Sequence, residues 1–433
     1  MTSLDTTMRS SADPAKVKFY RIAVEGSRLI RSAWTEGRRP RETVTECASE
    51  QEAELKFEEL RWKKLREGFA CVADAAQAAR GTVVLDVKVP NRCSAQAFDL
   101  SPDGRTIAVG TMLKDAYGAE IHLIDVATGH RRLIHAEPVG KRQTFVHAVH
   151  FDAVGERIVY ALNEETRLFD PASGQTRILA QYREFQDADF NPFRARPSWD
   201  AARRRLLLFD TGDRVRILDA LDALDALDAL DALDAFDALD AFDQDWNEVF
   251  ATSTERPSMR CWAGALSPSG KLMALCFTKG SRYKEDDPEV TEVEIWDIDR
   301  RNVLRRIPMD RKPHAIGFDP ADTLLVANPE SAEGPCAHSL ETGELVWHFP
   351  HPYRTDRWAT CYGWAYSPDG GTLAVGRRRD TDIVDAATRH SDPTFRCRPG
   401  DLGTGRTYTV RISADGTLVA SGGDTGRIIV RKL

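Results

Sequence analysis

The stretch FDLSPDGRTIAVG, residues 98–110, contains the pattern that decides the fold. A run with strand character ends at the tight turn Ser101-Pro102-Asp103-Gly104, and a second such run follows at once. Pro fixes φ at the second turn position, Asp can hydrogen-bond to its own backbone, and Gly adopts the positive φ at the end. The stretch therefore predicts two antiparallel β-strands joined by a tight turn.

The turn recurs along the chain. Further copies, some of them weaker, begin at Asp152, Trp199, Ser267, Asp319, Ser367 and Ser413. Five of the six intervals between successive turns are about 46 to 52 residues long, a period typical of four-stranded repeat units. Such units cannot bury their faces alone, so seven of them predict a mainly β protein with a seven-bladed β-propeller over residues 81–433. In this prediction residues 81–89, GTVVLDVKV, supply the outer strand of the last blade.

The third interval is about 21 residues longer than its neighbours and contains a low-complexity Leu-Asp-Ala run at about residues 219–243. Between Ile217 and Trp246 there are ten Asp and no Lys or Arg. The net charge of the whole chain is -8, so the remainder is near +2. We interpret the run as a disordered acidic expansion within one repeat unit, the alternative being a helical arm that packs only with a partner.

The ends of the predicted third strands show a family resemblance. Trp296-Asp297 is an intact Trp-Asp pair, and the equivalent positions of other units hold Ile124-Asp125, Phe169-Asp170, Leu218-Asp219 and Val384-Asp385. These units resemble the WD-repeat family and its bacterial relatives over about residues 81–433. The resemblance implies a propeller that serves as a scaffold more often than as an enzyme.

The amino-terminal part has a different pattern. Residues 18–26 and 28–33 have strand character, and a helix is predicted from Ser49 to Leu65, with Ser49 and Glu52 forming a capping box. We therefore expect a disordered tail at 1–15, a small α+β domain at 16–72 and a linker at 73–80 before the propeller.

The α+β domain resembles the Trp-Gly-Arg (WGR) domain family. The matching features are Lys18-Phe19-Tyr20, the Glu25-Gly26 turn, the helix, and the closing residues 64–69, KLREGF. Where the family has its naming triplet, this chain has Ala33-Trp34-Thr35, followed by Glu36-Gly37-Arg38. The family occurs in poly(ADP-ribose) polymerases, where it touches DNA and neighbouring domains, and in bacterial proteins. The resemblance thus implies interaction with nucleic acid or with protein.

Basic residues surround the tryptophan of this domain. The candidate nucleic-acid-binding residues are Arg28, Arg31, Trp34, Arg38, Arg39 and Arg41, which could hold phosphates and stack on a base or sugar. Residues 16–69 carry 13 basic and 10 acidic side chains, so the surplus is small. A solvated basic turn around a core tryptophan is therefore the favoured interpretation, and nucleic-acid binding is the alternative.

The longest irregular stretches of the propeller are rich in arginine and aromatic residues, the composition of protein-interaction hot spots. The candidate protein-binding residues are Arg282, Tyr283, Tyr353, Arg354, Arg357, Trp358, Arg377 and Arg378. Ordinary solvated loops are the alternative interpretation.

Other chemistry has little support in the sequence. We expect no catalytic residue, no metal site and no cofactor, because nucleophile, zinc, calcium and phosphate-loop patterns are absent or explained by the repeat. The eight cysteines are scattered without C-x-x-C spacing, which favours a reducing compartment. No apolar run is long enough for a membrane helix. We therefore predict a cytoplasmic, non-enzymatic scaffold that binds a protein partner, in a bacterial regulatory or defence assembly. A nucleic-acid-binding protein is the alternative.

Overall fold

The computed structural model describes residues 4–10, 16–89, 95, 97–112, 118–137, 144–181, 196–210, 214–220, 246–254, 259–279, 290–329, 335–349, 363–377, 381–395 and 403–433. These residues are mainly β, with one α-helix among them. The chain divides into two compact units, Met1–Phe151 with Cys361–Leu433, and Asp152–Thr360.

The amino-terminal module, residues 4–72, contains five strands and the helix. Its elements are β1 (Leu4–Ser10), β2 (Lys18–Glu25), β3 (Arg28–Thr35), β4 (Arg41–Glu46), α1 (Glu50–Arg66) and β5 (Phe69–Val72). The strands lie side by side in the order β5-β1-β2-β3-β4. The predicted pair of strands and the predicted helix are confirmed.

The helix α1 begins and ends as its sequence predicts. The Ser49 side chain accepts a hydrogen bond from the backbone N–H of Glu52 at 3.1 Å, which satisfies a free donor of the first turn. Ala53, Phe57 and Leu65 are buried against the sheet. The chain leaves the helix at Gly68, whose φ of +86° is accessible to glycine at little cost.

The expectation of a disordered tail at residues 1–15 is wrong for residues 4–10. This segment forms β1, which pairs with β2 from Leu4↔Val24 to Arg9↔Phe19 and also pairs with β5. Leu4 and Met8 are buried in the core of the module. The composition of LDTTMRS hides the strand, because its order comes from pairing with two neighbours and not from local propensity.

Six four-stranded antiparallel sheets follow, each built from consecutive strands. The first three contain β7 (Ala97–Leu100), β8 (Thr106–Met112), β9 (Ala119–Asp125) and β10 (Arg131–Ala136); β11 (Ala148–Phe151), β12 (Ile158–Ala161), β13 (Glu165–Phe169) and β14 (Thr176–Gln181); and β15 (Ser198–Trp199), β16 (Arg205–Asp210), β17 (Arg214–Ala220) and β18 (Trp246–Ser253). The next three contain β19 (Arg260–Leu266), β20 (Leu272–Lys279), β21 (Val290–Asp297) and β22 (Asn302–Met309); β23 (Pro313–Phe318), β24 (Leu324–Pro329), β25 (Cys336–Ser339) and β26 (Leu345–His348); and β27 (Trp364–Tyr366), β28 (Thr372–Gly376), β29 (Thr381–Asp385) and β30 (Ser391–Asp392). A short 3₁₀ turn, Pro393–Phe395, follows β30. Successive sheets of this kind are typical of β-propeller blades.

The prediction of a seven-bladed propeller is wrong in the number of blades, because the described residues form six sheets of four strands. The remaining strands are β6 (Val83–Lys88), β31 (Thr407–Ile412), β32 (Leu418–Gly423) and β33 (Arg427–Lys432). They belong to a nine-stranded sheet with the order β31-β32-β33-β6-β5-β1-β2-β3-β4. The predicted pairing of residues 81–89 with the last strand is confirmed, from Arg427↔Lys88 to Arg431↔Val83. The other edge of β6 pairs with β5, so the sheet continues into the amino-terminal module. Residues 73–80, expected to be a linker, connect these two neighbouring strands.

The predicted turns carry the hydrogen bonds that their sequences suggest. In the four serine turns, the Ser hydroxyl accepts a hydrogen bond from the backbone N–H five residues later, at distances such as 2.9 Å for Ser101 and 2.8 Å for Ser367. The hydroxyl also donates to the Asp two residues later in three of these turns. That hydrogen bond lowers the pKa of Asp103 and of Asp369.

In the weaker turns, a single Asp side chain accepts the backbone hydrogen bonds of the turn. Asp319 Oδ1 accepts from the backbone N–H of Thr323 at 2.7 Å and of Leu324 at 2.6 Å. Asp152 and Asp200 accept pairs of backbone N–H groups in the same way. A single carboxylate therefore replaces the Ser and Asp of the other copies, which explains why these copies are hard to recognise.

We expect the substitution Asp322→Gly to raise the free energy of unfolding by about 1 kcal/mol, because glycine adopts positive φ without strain. Asp322 occupies the glycine position of its turn with φ 55°, and its Oδ1 is buried without a partner among the described residues. Urea unfolding measures the change. The matched control is Gly104→Asp at φ 69°, which should lower the unfolding free energy by a similar amount. Equal stabilities for both variants and the parent would contradict this account.

A buried ionic cluster, which we call the junction cluster, lies where the module meets the last strand. Arg427 on β33 and Asp86 on β6 are almost fully buried, and their atoms pair at 2.6 Å (Nε to Oδ1) and 2.8 Å (Nη2 to Oδ2). Arg61 on α1 also donates to Asp86 Oδ2, at 2.5 Å, and pairs with Glu58 at 3.2 Å. One carboxylate thus binds the helix, β6 and β33 together.

Cys71, opposite Asp86 across the β5–β6 pair, should react slowly with alkylating agents. Burial, with Asp86 nearby, raises the pKa of its thiol from 9.0 to about 11. At pH 8 this lowers the thiolate fraction about a hundredfold, and the thiolate is the reactive species. Timed iodoacetamide labelling of the native protein, read by peptide mass spectrometry, should show Cys71 lagging far behind the half-buried Cys47. Equal labelling rates would show that the junction opens freely in the native state.

Candidate functional site

A groove opens on the amino-terminal module because α1 covers only part of the sheet. The helix contacts β2, β3, β5 and β6, and β4 is exposed along most of its length. The uncovered space between α1 and the β3–β4 pair has a volume of about 570 Å³. The groove is lined by Leu29, Arg31, Thr45, Lys56, Glu59, Leu60, Trp62, Lys63 and Arg66.

The lining of this groove is basic. Four side chains, Arg31, Lys56, Lys63 and Arg66, are cationic, and only Glu59 is acidic. Leu29, Leu60 and Trp62 provide apolar surface beside them, and the last two are partly buried against the core of the module. The groove can therefore hold an anionic group and an apolar side chain at the same time.

Arg31 is held on the floor of the groove by the register of the sheet. It lies opposite Ile22 on β2 and Thr43 on β4. Its Nη2 donates to Thr45 Oγ1 at 3.2 Å, while its Nε is buried without a partner among the described residues. An unsatisfied donor of a charged group is costly. The guanidinium lines the groove, and its N–H groups can donate hydrogen bonds to a ligand oxygen there.

The other cations of the groove differ in their partners. Lys56 Nζ lies 2.7 Å from Glu52 Oε1, and this hydrogen bond raises the pKa of Lys56. Within the described parts of the chain, Lys63 and Arg66 form no ion pair, whereas the adjacent Lys64 pairs with Glu67 at 2.5 Å. Two cations therefore remain available to an anion in the groove.

The structure distributes the candidate nucleic-acid-binding residues over different surfaces. Arg31 lies on the helix side of β3, and Trp34 lies on the other side, stacked on Phe19 with ring centroids 5.2 Å apart. Arg28 pairs with Glu46 at 3.4 Å and with Glu25 at 3.6 Å. The remaining three, Arg38, Arg39 and Arg41, are exposed at the β3–β4 turn and the start of β4. These six residues do not form one continuous patch.

Of the candidate protein-binding residues, only Arg377 belongs to the described part of the chain. It is buried directly after β28 and pairs with Asp382 on β29. In the described structure Arg377 is therefore part of the protein interior and not of an exposed binding surface. The others lie outside the described residues: Arg282, Tyr283, Tyr353, Arg354, Arg357, Trp358 and Arg378.

Most of the groove residues were not among those predicted from the sequence. The signal was present as basic residues at Lys56, Lys63 and Arg66, whose spacing places them on one side of a helix.

Comparisons with known proteins identify the fold. The chain matches no family model and no curated protein. It is similar to a chain of a solved structure described as the crystal structure of the mitotic checkpoint complex, with 13% sequence identity and a TM-score of 0.51. The match covers 83% of this chain and 97% of the other. Together with the repeated four-stranded sheets, this similarity indicates a β-propeller fold.

In the described ranges, no group of three or more His, Cys, Asp or Glu side chains is arranged to hold a metal ion. No helix among these residues has the length and apolar character needed to cross a membrane.

Proposed function

We propose that this protein is a non-enzymatic protein-interaction scaffold. The observation that carries the proposal is the WD-repeat-like propeller fold, since this architecture presents loops from many blades and commonly serves as a binding platform. The solved structure with the similar fold belongs to a multi-protein assembly.

We further propose that residues 16–72 are a WGR-like interaction module. The strands β2 and β3 and the capped helix α1 follow the pattern on which the resemblance was based. The resemblance of this segment to bacterial WGR proteins is the only support for a role in a bacterial regulatory or defence assembly. A cytoplasmic location is part of the same proposal, supported by the free thiols of the five described cysteines.

The nine-stranded sheet supports a scaffold in which the amino-terminal module is connected to the carboxy-terminal strands. Strands β1–β5 of the module continue through β6 into β31–β33 without a break, and the junction cluster ties the same elements together. A partner bound to the module would therefore be held in a fixed position relative to these carboxy-terminal strands.

The proposal is tested by purifying the tagged full chain from its native host. We expect a stoichiometric protein partner, and we expect the triple variant Tyr353→Ala, Arg354→Ala, Trp358→Ala to lose it. The control Arg105→Ala, Leu133→Ala changes two exposed side chains and should retain the partner. If no partner is recovered at any salt concentration, the scaffold function is wrong. If the triple variant retains it, the binding residues are wrong.

The alternative, nucleic-acid binding through the WGR-like domain, has less support from the geometry. Its proposed residues Arg31 and Trp34 lie on opposite sides of β3, and Arg28 is already paired with two glutamates. A gel-shift titration at two salt concentrations tests it, because phosphate contacts weaken steeply with salt. Tight, salt-sensitive binding that is lost in Arg38→Ala, Arg39→Ala would favour this alternative.

A further inference from the structure

We propose that the groove between α1 and the β3–β4 pair binds an extended acidic segment of a protein partner. The inference depends on the proposed scaffold function, and it adds a site and the chemistry of the segment that the site recognises. The segment we infer carries carboxylates alternating with apolar side chains on one face.

The charge of the groove selects an acidic ligand. Four cations and one carboxylate line it, and Lys63 and Arg66 have no ion-pair partner within the described residues. Basic residues in the last turn of a helix also complement the helix dipole. Lys63, Lys64 and Arg66 all lie in this last turn. Lys64 packs over the Tyr20 ring at 4.5 Å, whereas Lys63 and Arg66 line the groove.

The apolar part of the lining argues for a peptide over a nucleic acid. Leu29, Leu60 and Trp62 lie among the cations, and the apolar side chains of a peptide can cover them while its carboxylates pair with the cations. A nucleic-acid backbone is best bound by a continuous line of basic groups. A volume of about 570 Å³ is within the range of clefts that enclose small ligands or a few side chains.

The edge of the sheet indicates how the segment would bind. Strand β4 is the last strand of the nine-stranded sheet, so its outer backbone groups have no neighbouring strand in the described structure. An extended peptide can add to such an edge through main-chain hydrogen bonds, with alternate side chains reaching one face. Those side chains would enter the groove, carboxylates towards Lys63 and Arg66 and an apolar group towards Leu60.

Fluorescence anisotropy with a defined probe tests the inference. The probe is a fluorescein-labelled ten-residue peptide in which Asp and Leu alternate on one face and Thr occupies the other. We expect saturable binding to the full-length protein. The variant Lys63→Glu, Arg66→Glu should weaken this binding at least about tenfold, since paired charges are replaced by repulsive ones. The matched control Arg38→Glu, Arg39→Glu makes the same change in charge at the exposed turn and should alter binding less than about twofold.

Each other outcome contradicts the inference in a recognisable way. An equal loss of peptide affinity in both double variants means that binding depends only on the net charge of the protein. Tighter binding of a ten-nucleotide single-stranded DNA, lost in the groove variant, assigns the groove to nucleic acid. Concentration-dependent self-association lost in the groove variant makes a second copy of the chain the occupant. Circular dichroism of each variant establishes that it is folded.

The scaffold function can be judged separately. If the probe does not bind and the groove variant retains the partner recovered from the native host, the groove assignment is wrong and the scaffold function stands. If no partner is recovered, the scaffold function fails whatever the probe does.

Discussion

Replacement of Asp86 by alanine is expected to lower the free energy of unfolding by about 3 to 5 kcal/mol, the cost of leaving a buried charge without its partner. The fully buried Arg427 would lose both of its hydrogen bonds to the carboxylate, and Arg61 would lose one. Urea unfolding followed by circular dichroism measures the change. A loss of this size is a large part of the stability of a typical domain.

The control for this prediction is another aspartate that pairs with an arginine in the same sheet. Asp5 pairs with Arg21 on the surface, and its side chain is 42% exposed, so Asp5→Ala should cost less than about 1 kcal/mol. The triple variant Arg61→Met, Asp86→Leu, Arg427→Met removes all three charges and should be more stable than Asp86→Ala alone. If Asp86→Ala and Asp5→Ala unfold at the same urea concentration, the junction cluster does not hold the sheet together.

The second large effect is expected for Phe98→Ala, which should also cost about 3 to 5 kcal/mol through lost apolar burial and the cavity left behind. Phe98 on β7 is fully buried in a core that includes Val87, Ile107 and Ile428. Its ring lies so close to Gly422 that a Cβ there would be 2.8 Å from a ring carbon. The same urea experiment measures the loss.

Leu133→Ala is the matched control for the phenylalanine. Leu133 lies on β10 of the same four-stranded sheet and is 50% exposed, so its truncation should change the unfolding free energy by less than about 1 kcal/mol. Phe98→Leu, which keeps much of the volume, should fall between the two. A cost for Phe98→Ala no greater than that of Leu133→Ala would mean that this core tolerates a large void.

The repeated turns were predictable because their chemistry is local. Ser101, Asp103 and Gly104 each have a role within six residues of chain, and the pattern repeats. The helix α1 was predictable for the same reason, since Ser49 and Glu52 cap it from neighbouring positions.

The number of separate sheets was not predictable in this way. It depends on whether β6 pairs with β5 as well as with β33. The pairing with β33 was predicted from the repeat, whereas no local pattern specifies the pairing with β5. The strand β1 was missed because it is stabilised by two neighbours and carries only two buried side chains, Leu4 and Met8.

Part of the candidate site was available from the sequence and part was not. Arg31 and Trp34 are separated by three positions on a strand, so alternation already places them on opposite faces. The cations of α1 could be read from their spacing. The groove itself could not, because it exists only where the helix packs on β2, β3, β5 and β6 and leaves β4 uncovered.

The pairing of β6 with β33 has a consequence for biosynthesis. Asp86 and Arg427 are separated by 341 positions, so the ribosome synthesises Asp86 long before Arg427. Domains generally fold as they emerge, amino-terminal part first. Here the edge of β6 must wait for residues 427–432. Until then the nascent chain carries an unpaired strand edge, and the Asp86 carboxylate lacks its partner Arg427. We therefore expect translation speed and chaperone access over this interval to affect the yield of folded protein.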